Sequence, residues 1–288
     1  MKTIISMDST MDLTPELVKQ FDIRVIPLTI ILGDKDYEDG ITVTPPDIFA
    51  YVEKTGILPK TSAVSSYAFR EHFEKLLKEC DQVLHVSISQ HLSACWQNAT
   101  LAASELKNVY VVDGGALSTG TSLLAMKARD LLDAGTDIRE VIRILEGLVP
   151  NDQTSFVVDK LEYLYKGGRC SGLTLLGANL LKIHPILNMQ EGYLKPAKEK
   201  LRGNMDKVLR KYIEYLHEHY PIPDRTRAFI THTEMDPELV EIAKRATREL
   251  FDFETVYETM AGSTITCHCG KGTLGLLFLN DKPVMSGK

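Results

Sequence analysis

The alternation of apolar and polar positions divides the chain into two stretches of different rhythm. In the first, short β-branched runs alternate with helical periodicity. Thr3 to Met7 reads as a buried strand that stops at the polar cluster Asp8-Ser9-Thr10. A helix follows, with Thr14 as N-cap, Pro15 at its first position and Glu16 in its first turn. Arg24 to Leu32 reads as the next strand, and Thr44-Pro45 opens another helix by the same device. Ser65 or Ser66 caps a helix reaching about Cys80. Val83 to Ile88 is a strand, Ala94 to Leu106 a helix, Val109 to Val112 a strand and Leu123 to Leu132 a helix. This order predicts βαβ units around a mostly parallel sheet flanked by helices.

A later helical pattern ends in a Pro-Asn-Asp turn, so the stretch from Gly147 to Gln153 is the expected boundary between domains at residues 1–150 and 151–288. Beyond it the rhythm changes. Phe156 to Val158 is a strand and a Gly-rich helical region follows. Ile186 to Met189 and Tyr193-Leu194 then flank Glu191-Gly192, a hairpin signal. Met205 to His219 and Pro237 to Leu250 are amphipathic helices, and Glu254 to Leu279 reads as two or three strands around glycines. A mixed or antiparallel sheet with helices fits this half. The expected fold is therefore α/β in two domains.

Composition narrows the function classes. Apolar residues make up 44% and charged residues 25% of 288, ordinary for a globular protein. The formal charge is −6, so no general attraction to nucleic acid is expected. Asp8 interrupts the first apolar run and no basic segment precedes it, so no signal peptide is expected. Five scattered cysteines suit reduced thiols, and a cytoplasmic location is the simpler reading.

Several constellations could carry chemistry. Three strands end in small polar residues: Asp8-Ser9-Thr10, Ser87-Ile88-Ser89 and Asp113-Gly114-Gly115. In a parallel sheet these ends share one rim, where ligands gather. Thr61-Ser62 precedes the helix near Ser66, and Ser89, His91 and Ser93 precede the helix near Ala94. Hydroxyls beside helix N-termini suit a carboxylate or phosphate, although plain capping explains any one of them. Lys166-Gly167-Gly168-Arg169 offers a permissive backbone and a planar cation; a helix C-cap with a surface arginine is the bland alternative.

His268 precedes Gly270-Lys271-Gly272-Thr273-Leu274-Gly275, a tight turn able to approach a ligand. It is not a nucleotide loop, since Ile265 and Gly272 occupy positions that need Gly and Ser or Thr. If Cys267-His268-Cys269 lay on a strand, the cysteines and the histidine would face opposite ways, so no metal is expected there. No Gly-x-Ser-x-Gly elbow is present either. The residues by themselves describe an anion site in a cleft.

Taken in order, these segments resemble the DegV family. The resemblance rests on Asp8-Ser9-Thr10 with Asp12-Leu13, Asp39-Gly40, Thr61-Ser62, and Ser87-x-Ser89-x-x-Leu92-Ser93. It continues through Val112-Asp113, Ser118-x-Gly120, Leu161-x-x-Leu164-x-Lys166-Gly167-Gly168-Arg169 and His268-x-Gly270-x-Gly272-x-x-Gly275, covering essentially the whole chain. It implies two α/β domains with a long-chain fatty acid buried between them. It also implies a partner, the ATP-dependent kinase subunit of bacterial fatty acid kinase, which makes acyl phosphate, with no cofactor or metal in this chain. Transient membrane contact for lipid exchange is compatible with that role.

By the same resemblance Thr61, Ser62 and Ser93 would hold the carboxylate with His268 nearby, while Arg169 and Arg202 would support the site or face the kinase. The chain departs from the family at Ser93-Ala94-Cys95, usually Ser-Gly-Thr, at Gly114, usually Ser, and at Lys271, usually Pro. Trp96 is expected to reshape the pocket and Lys271 to add charge beside His268. Two other readings compete. One is an autonomous enzyme acting on a small phosphorylated or carboxylated metabolite through Asp8, Ser9, His268 and the Gly-rich turn. The other is a lipid-responsive regulatory protein.

Overall fold

The computed structural model describes residues 1–170 and 183–281. In chain order the first half supplies β1 (Thr3–Asp8), α1 (Pro15–Gln20), β2 (Ile23–Ile26), β3 (Thr29–Leu32), β4 (Lys35–Glu38), α2 (Pro45–Thr55), β5 (Lys60–Ser62) and α3 (Ser66–Leu76). It continues with β6 (Gln82–Ser87), α4 (Cys95–Ser104), β7 (Val109–Asp113), α5 (Thr119–Asp133) and α6 (Ile138–Leu148). The expected caps hold. Thr14 accepts from the Leu17 N–H before Pro15, and Ser65 accepts from the Ala68 N–H. Strands β2, β1, β6 and β7 form a wholly parallel sheet in that order.

The expected strand from Arg24 to Leu32 is in fact two strands in different sheets. Pro27 lies between them and has no N–H to donate to a ladder. β2 stays beside β1, while β3 turns away into a small antiparallel sheet ordered β4-β3-β5. That small sheet was not apparent from the apolar pattern, and it carries Thr61.

The second half supplies β8 (Asp152–Gln153), β9 (Ser155–Val157), α7 (Glu162–Gly167), β10 (Ile183–Gln190), β11 (Tyr193–Arg202) and α8 (Met205–His219). After these come β12 (Pro223–His232), α9 (Pro237–Leu250), β13 (Val256–Met260), α10 (Ser263–Cys269) and β14 (Leu274–Asn280). Its sheet is mixed, ordered β11-β10-β9-β14-β12-β13, with β8 also on β14 and only β12–β13 parallel. The Glu191-Gly192 hairpin is present, with both residues at positive φ as a two-residue turn requires. Part of the expected Gly-rich helical region lies outside the described residues.

α5 joins the halves. Its Leu123, Leu124 and Met126 are fully buried in one cluster with Ile5, Met7 and Leu84 from the first sheet and Phe229, Leu277 and Leu279 from the second. A helix buried on nearly all sides is apolar or small-residued all round, as its Thr119–Ala128 segment is. Gly120 is required there, because a Cβ would fall 1.8 Å from Thr154 Oγ1. α8 and α9 cover the outer face of the mixed sheet through Val208, Tyr212, Ile213, Val240 and Ala243.

Candidate functional site

α10 organises the site. The segment Ser263–Cys269 was expected to be strand, since Thr264, Ile265 and Thr266 are β-branched, yet it is a helix. Two distant buried carboxylates hold its N-terminus. Asp39 accepts from the Ser263 N–H at 2.9 Å, the Thr264 N–H at 3.3 Å and the Thr264 hydroxyl at 2.7 Å. Ser9 adds a hydroxyl donor to Asp39 at 2.8 Å. Asp12 accepts from the Gly262 N–H at 2.7 Å and from the Ser118 hydroxyl. Burial pushes the Asp12 carboxyl up to about 8, against those hydrogen bonds and reinforced by the nearby Asp39 and Asp8 charges.

The helix points its residues three ways. Ile265 and Cys269 face an apolar cluster, and Cys267 packs instead with Ile30, Val43 and Ile48. His268 takes the third direction, so Cys267, His268 and Cys269 diverge on a helix just as they would on a strand.

His268 Nε2 lies 2.8 Å from Thr61 Oγ1, closing a contact between residues 207 apart in sequence. Its other nitrogen, Nδ1, is buried with no hydrogen-bond partner. The ring rests on Gly167, where a Cβ would come within 2.6 Å of Nδ1. Arg169 stands beside it, exposed, its guanidinium donating to the Gly167 carbonyl at 2.8 Å. Burial first, and the Arg169 charge second, lower the His268 pKa to about 4. The imidazole is therefore neutral at neutral pH, with one ring nitrogen carrying hydrogen. When Nε2 carries it and donates to Thr61, the threonine hydroxyl is free to donate to an anion.

The other expected residues are placed less uniformly. Ser62 follows Thr61 on β5, exposed; both precede the Ser65 cap rather than sitting at the helix start. Ser93 is half-buried just before α4, where its oxygen accepts from the Cys95 N–H at 3.3 Å. Asn98 of α4 ties that helix to the chain leaving β5, donating to the Val64 carbonyl at 2.7 Å. Arg202 is exposed at the far end of β11.

Ser89 and His91 turn out to be engaged elsewhere. Ser89 donates to the Gly192 carbonyl at 2.7 Å, and His91 stacks on Tyr193 at 3.9 Å between ring centroids. Lys271 does not add charge beside His268; it bonds Glu234 at 2.6 Å and lies over the Phe49 ring. Trp96 is the second residue of α4 and is half-buried.

The rim expected at the strand ends exists, but its groups satisfy one another. Asp8 accepts from the Ile88 N–H at 2.9 Å and the Ser87 hydroxyl at 3.2 Å, and Asp113 accepts from Gln90 and Gly115. The apolar cluster behind α10 draws on both halves. Leu28, Val64, Ile88, Leu92 and Cys95 meet Phe156, Leu187, Met189, Leu194 and Ile265.

A family model described as "Uncharacterised protein, DegV family" matches residues 2–281. The chain belongs to the DegV family. A DegV relative from Thermotoga maritima, named a fatty acid-binding protein, is 33% identical over 288 residues, covering 96% of each chain. The solved structure of a fatty acid-binding DegV family protein from Thermus thermophilus superposes with a TM-score of 0.90 at 30% identity, covering 97% of this chain and all of that one. DegV of Bacillus subtilis, described as a fatty acid binding protein, gives 0.84 at 27% identity, covering 98% of this chain and 100% of that one. The α/β fold, with a parallel sheet followed by a mixed one, is thus the DegV fold, and fatty acid binding is a property of DegV proteins.

Sequence reasoning quoted Asp12, Asp39 and Gly167 only as pieces of motifs and gave them no task. The structure assigns each one: two carboxylates hold α10, and a glycine makes room for the imidazole. Asp12 sits at φ 53°, left-handed and uncommon for a non-glycine, which the sequence does not reveal.

Proposed function

We propose that this chain binds a long-chain fatty acid in the apolar cluster shared by its halves and presents the carboxylate to a separate ATP-dependent kinase subunit for conversion to acyl phosphate. Residues 1–150 and 151–288 are the two domains in this reading. Thr61, Ser62, Ser93 and His268 hold the head group, with Arg169 and Arg202 on the kinase-facing side.

The observation that carries it is the Thr61–His268 pair at the edge of that cluster. Each buried methylene of an acyl chain gains roughly 0.8 kcal/mol, so about a dozen would gain on the order of 10 kcal/mol before ordering costs. The carboxylate cannot follow unpaired, and a neutral histidine backing a hydroxyl supplies a donor without burying a second charge. The relatives named as fatty acid-binding proteins support the ligand class. The exposed Arg169 beside His268 supports a partner that brings phosphate.

Native mass spectrometry of the purified chain tests the reading. The expected result is one co-purified fatty acid per chain, released on denaturation. Extracts free of lipid, or turnover of a small metabolite by the chain alone, favour the autonomous enzyme instead. Acyl phosphate formation that needs both this chain and an ATP-dependent kinase subunit tests the partner, and Ser93→Ala is expected to weaken it more than it weakens folding.

A further inference from the structure

A second site lies apart from Thr61 and His268. Between the tip of the β10–β11 hairpin, the C-terminal end of α8 and the first sheet's rim opens a groove of about 1210 Å³. That is larger than the ~300–1,000 Å³ typical of small-ligand pockets, and none of Thr61, Ser62, Ser93 or His268 lines it. Two of its lining residues, Asp152 and Asn188, are each only 6% exposed, and each leaves one oxygen with no hydrogen-bond partner. Asp152 Oδ1 accepts from the Thr154 hydroxyl at 2.6 Å, while Oδ2 has nothing. The Asn188 side chain hydrogen-bonds the Tyr215 phenol and leaves Oδ1 unmatched. Leaving such acceptors desolvated and unpaired is costly, so the groove calls for a donor.

Charge points the same way. Asp113, Asp152, Glu191 and Glu199 line the groove, against Lys198 as the sole lysine or arginine lining it among the described residues. Glu191 is partly offset by Lys195, 3.9 Å away. Acidic groups stand both inside, at Asp152, and on the exposed rim, at Glu199. Between them lie apolar and aromatic faces, including Tyr215, Tyr220 and Ile222. Separated carboxylates joined by apolar surface match a ligand whose cationic centres are joined by methylenes, and the rings add cation–π attraction. We infer that this groove binds a linear aliphatic polyamine, with an ammonium donating to Asp152 and Asn188 and a further ammonium near Glu199.

Titrating spermidine into the full-length chain by calorimetry tests this. The expected result is saturable binding to one site, about ten- to hundredfold weaker in Asp152→Asn and a few-fold weaker in Glu199→Gln. Asp152→Asn keeps the acceptor facing Thr154, so the fold and fatty acid occupancy are expected to persist. The neutral 1,4-butanediol is expected not to bind. An Asp152→Asn affinity equal to that of the unaltered chain overturns the proposal, as does binding of an oligolysine peptide but not of spermidine. If Asp152→Asn does not fold, a crystal soaked in spermidine decides. An ammonium nitrogen within hydrogen-bond distance of Asp152 Oδ2 and Asn188 Oδ1 supports the site; water alone at both oxygens overturns it.

Discussion

The two ends of α10 are built on opposite principles. At the N-terminus every donor in reach meets a buried carboxylate: Asp39 takes three from Ser263 and Thr264, and Asp12 takes the Gly262 N–H. At the C-terminus His268 makes one bond, to Thr61, and leaves Nδ1 buried and unmatched. A short helix rich in β-branched residues needs the first arrangement simply to exist. Only the second leaves bonding capacity for something outside the chain. The difference separates residues that hold the site from residues that bind, and it can be broken at either end.

The largest effect is expected at the anchored end. Asp39→Ala strands the Ser263 and Thr264 donors and the Ser9 hydroxyl, costing about 3 kcal/mol of stability by urea denaturation, with ligand loss following unfolding. At the open end, Gly167→Val drives a side chain into the imidazole and is expected to displace His268. Fatty acid retention should then fall at least tenfold while the far-ultraviolet circular dichroism stays that of the unaltered chain. Retention without loss would show that His268 is not where the head group sits. Thr61→Val removes the hydroxyl bridging His268 to a ligand, and is expected to weaken fatty acid binding by about 1–3 kcal/mol with little change in stability.

A smaller effect distinguishes the ends by pH. The folded-state pKa of Asp12 is raised to about 8, so below about pH 4 folded and unfolded chains both hold that proton. Between about 4 and 8 only the folded chain does, and stability falls as pH rises by up to about 1.4 kcal/mol per unit from this group. Asp12→Asn can still donate to Ser118 and accept from Gly262. It is expected to flatten that slope in urea melts between pH 5 and 8; an unchanged slope would show that Asp12 is already ionised in the fold.

What the sequence disclosed divides along the same line. Caps and amphipathic helices were legible because their causes are local: Thr14 before Pro15, or the periodicity of Met205–His219. The hairpin was legible because Glu191-Gly192 fixes its own turn. α10 was misread because its cause is not local; Asp39 caps it from more than 220 residues away. The same distance hid the Thr61–His268 pair, whose members were singled out by resemblance and by their small-polar settings. Ser89 and His91 looked like anion ligands because a docking hairpin tip uses the same polar groups.

The central claim is that a fatty acid carboxylate sits against the open end of α10. Its most direct test is an NMR titration of the His268 ring in the lipid-free chain and with carboxyl-labelled palmitate bound. An adjacent anion favours the imidazolium, so the His268 pKa should rise from about 4 on binding, with coupled shifts of ring and carboxyl resonances. Palmitate bound stoichiometrically with the His268 titration unchanged would contradict the account.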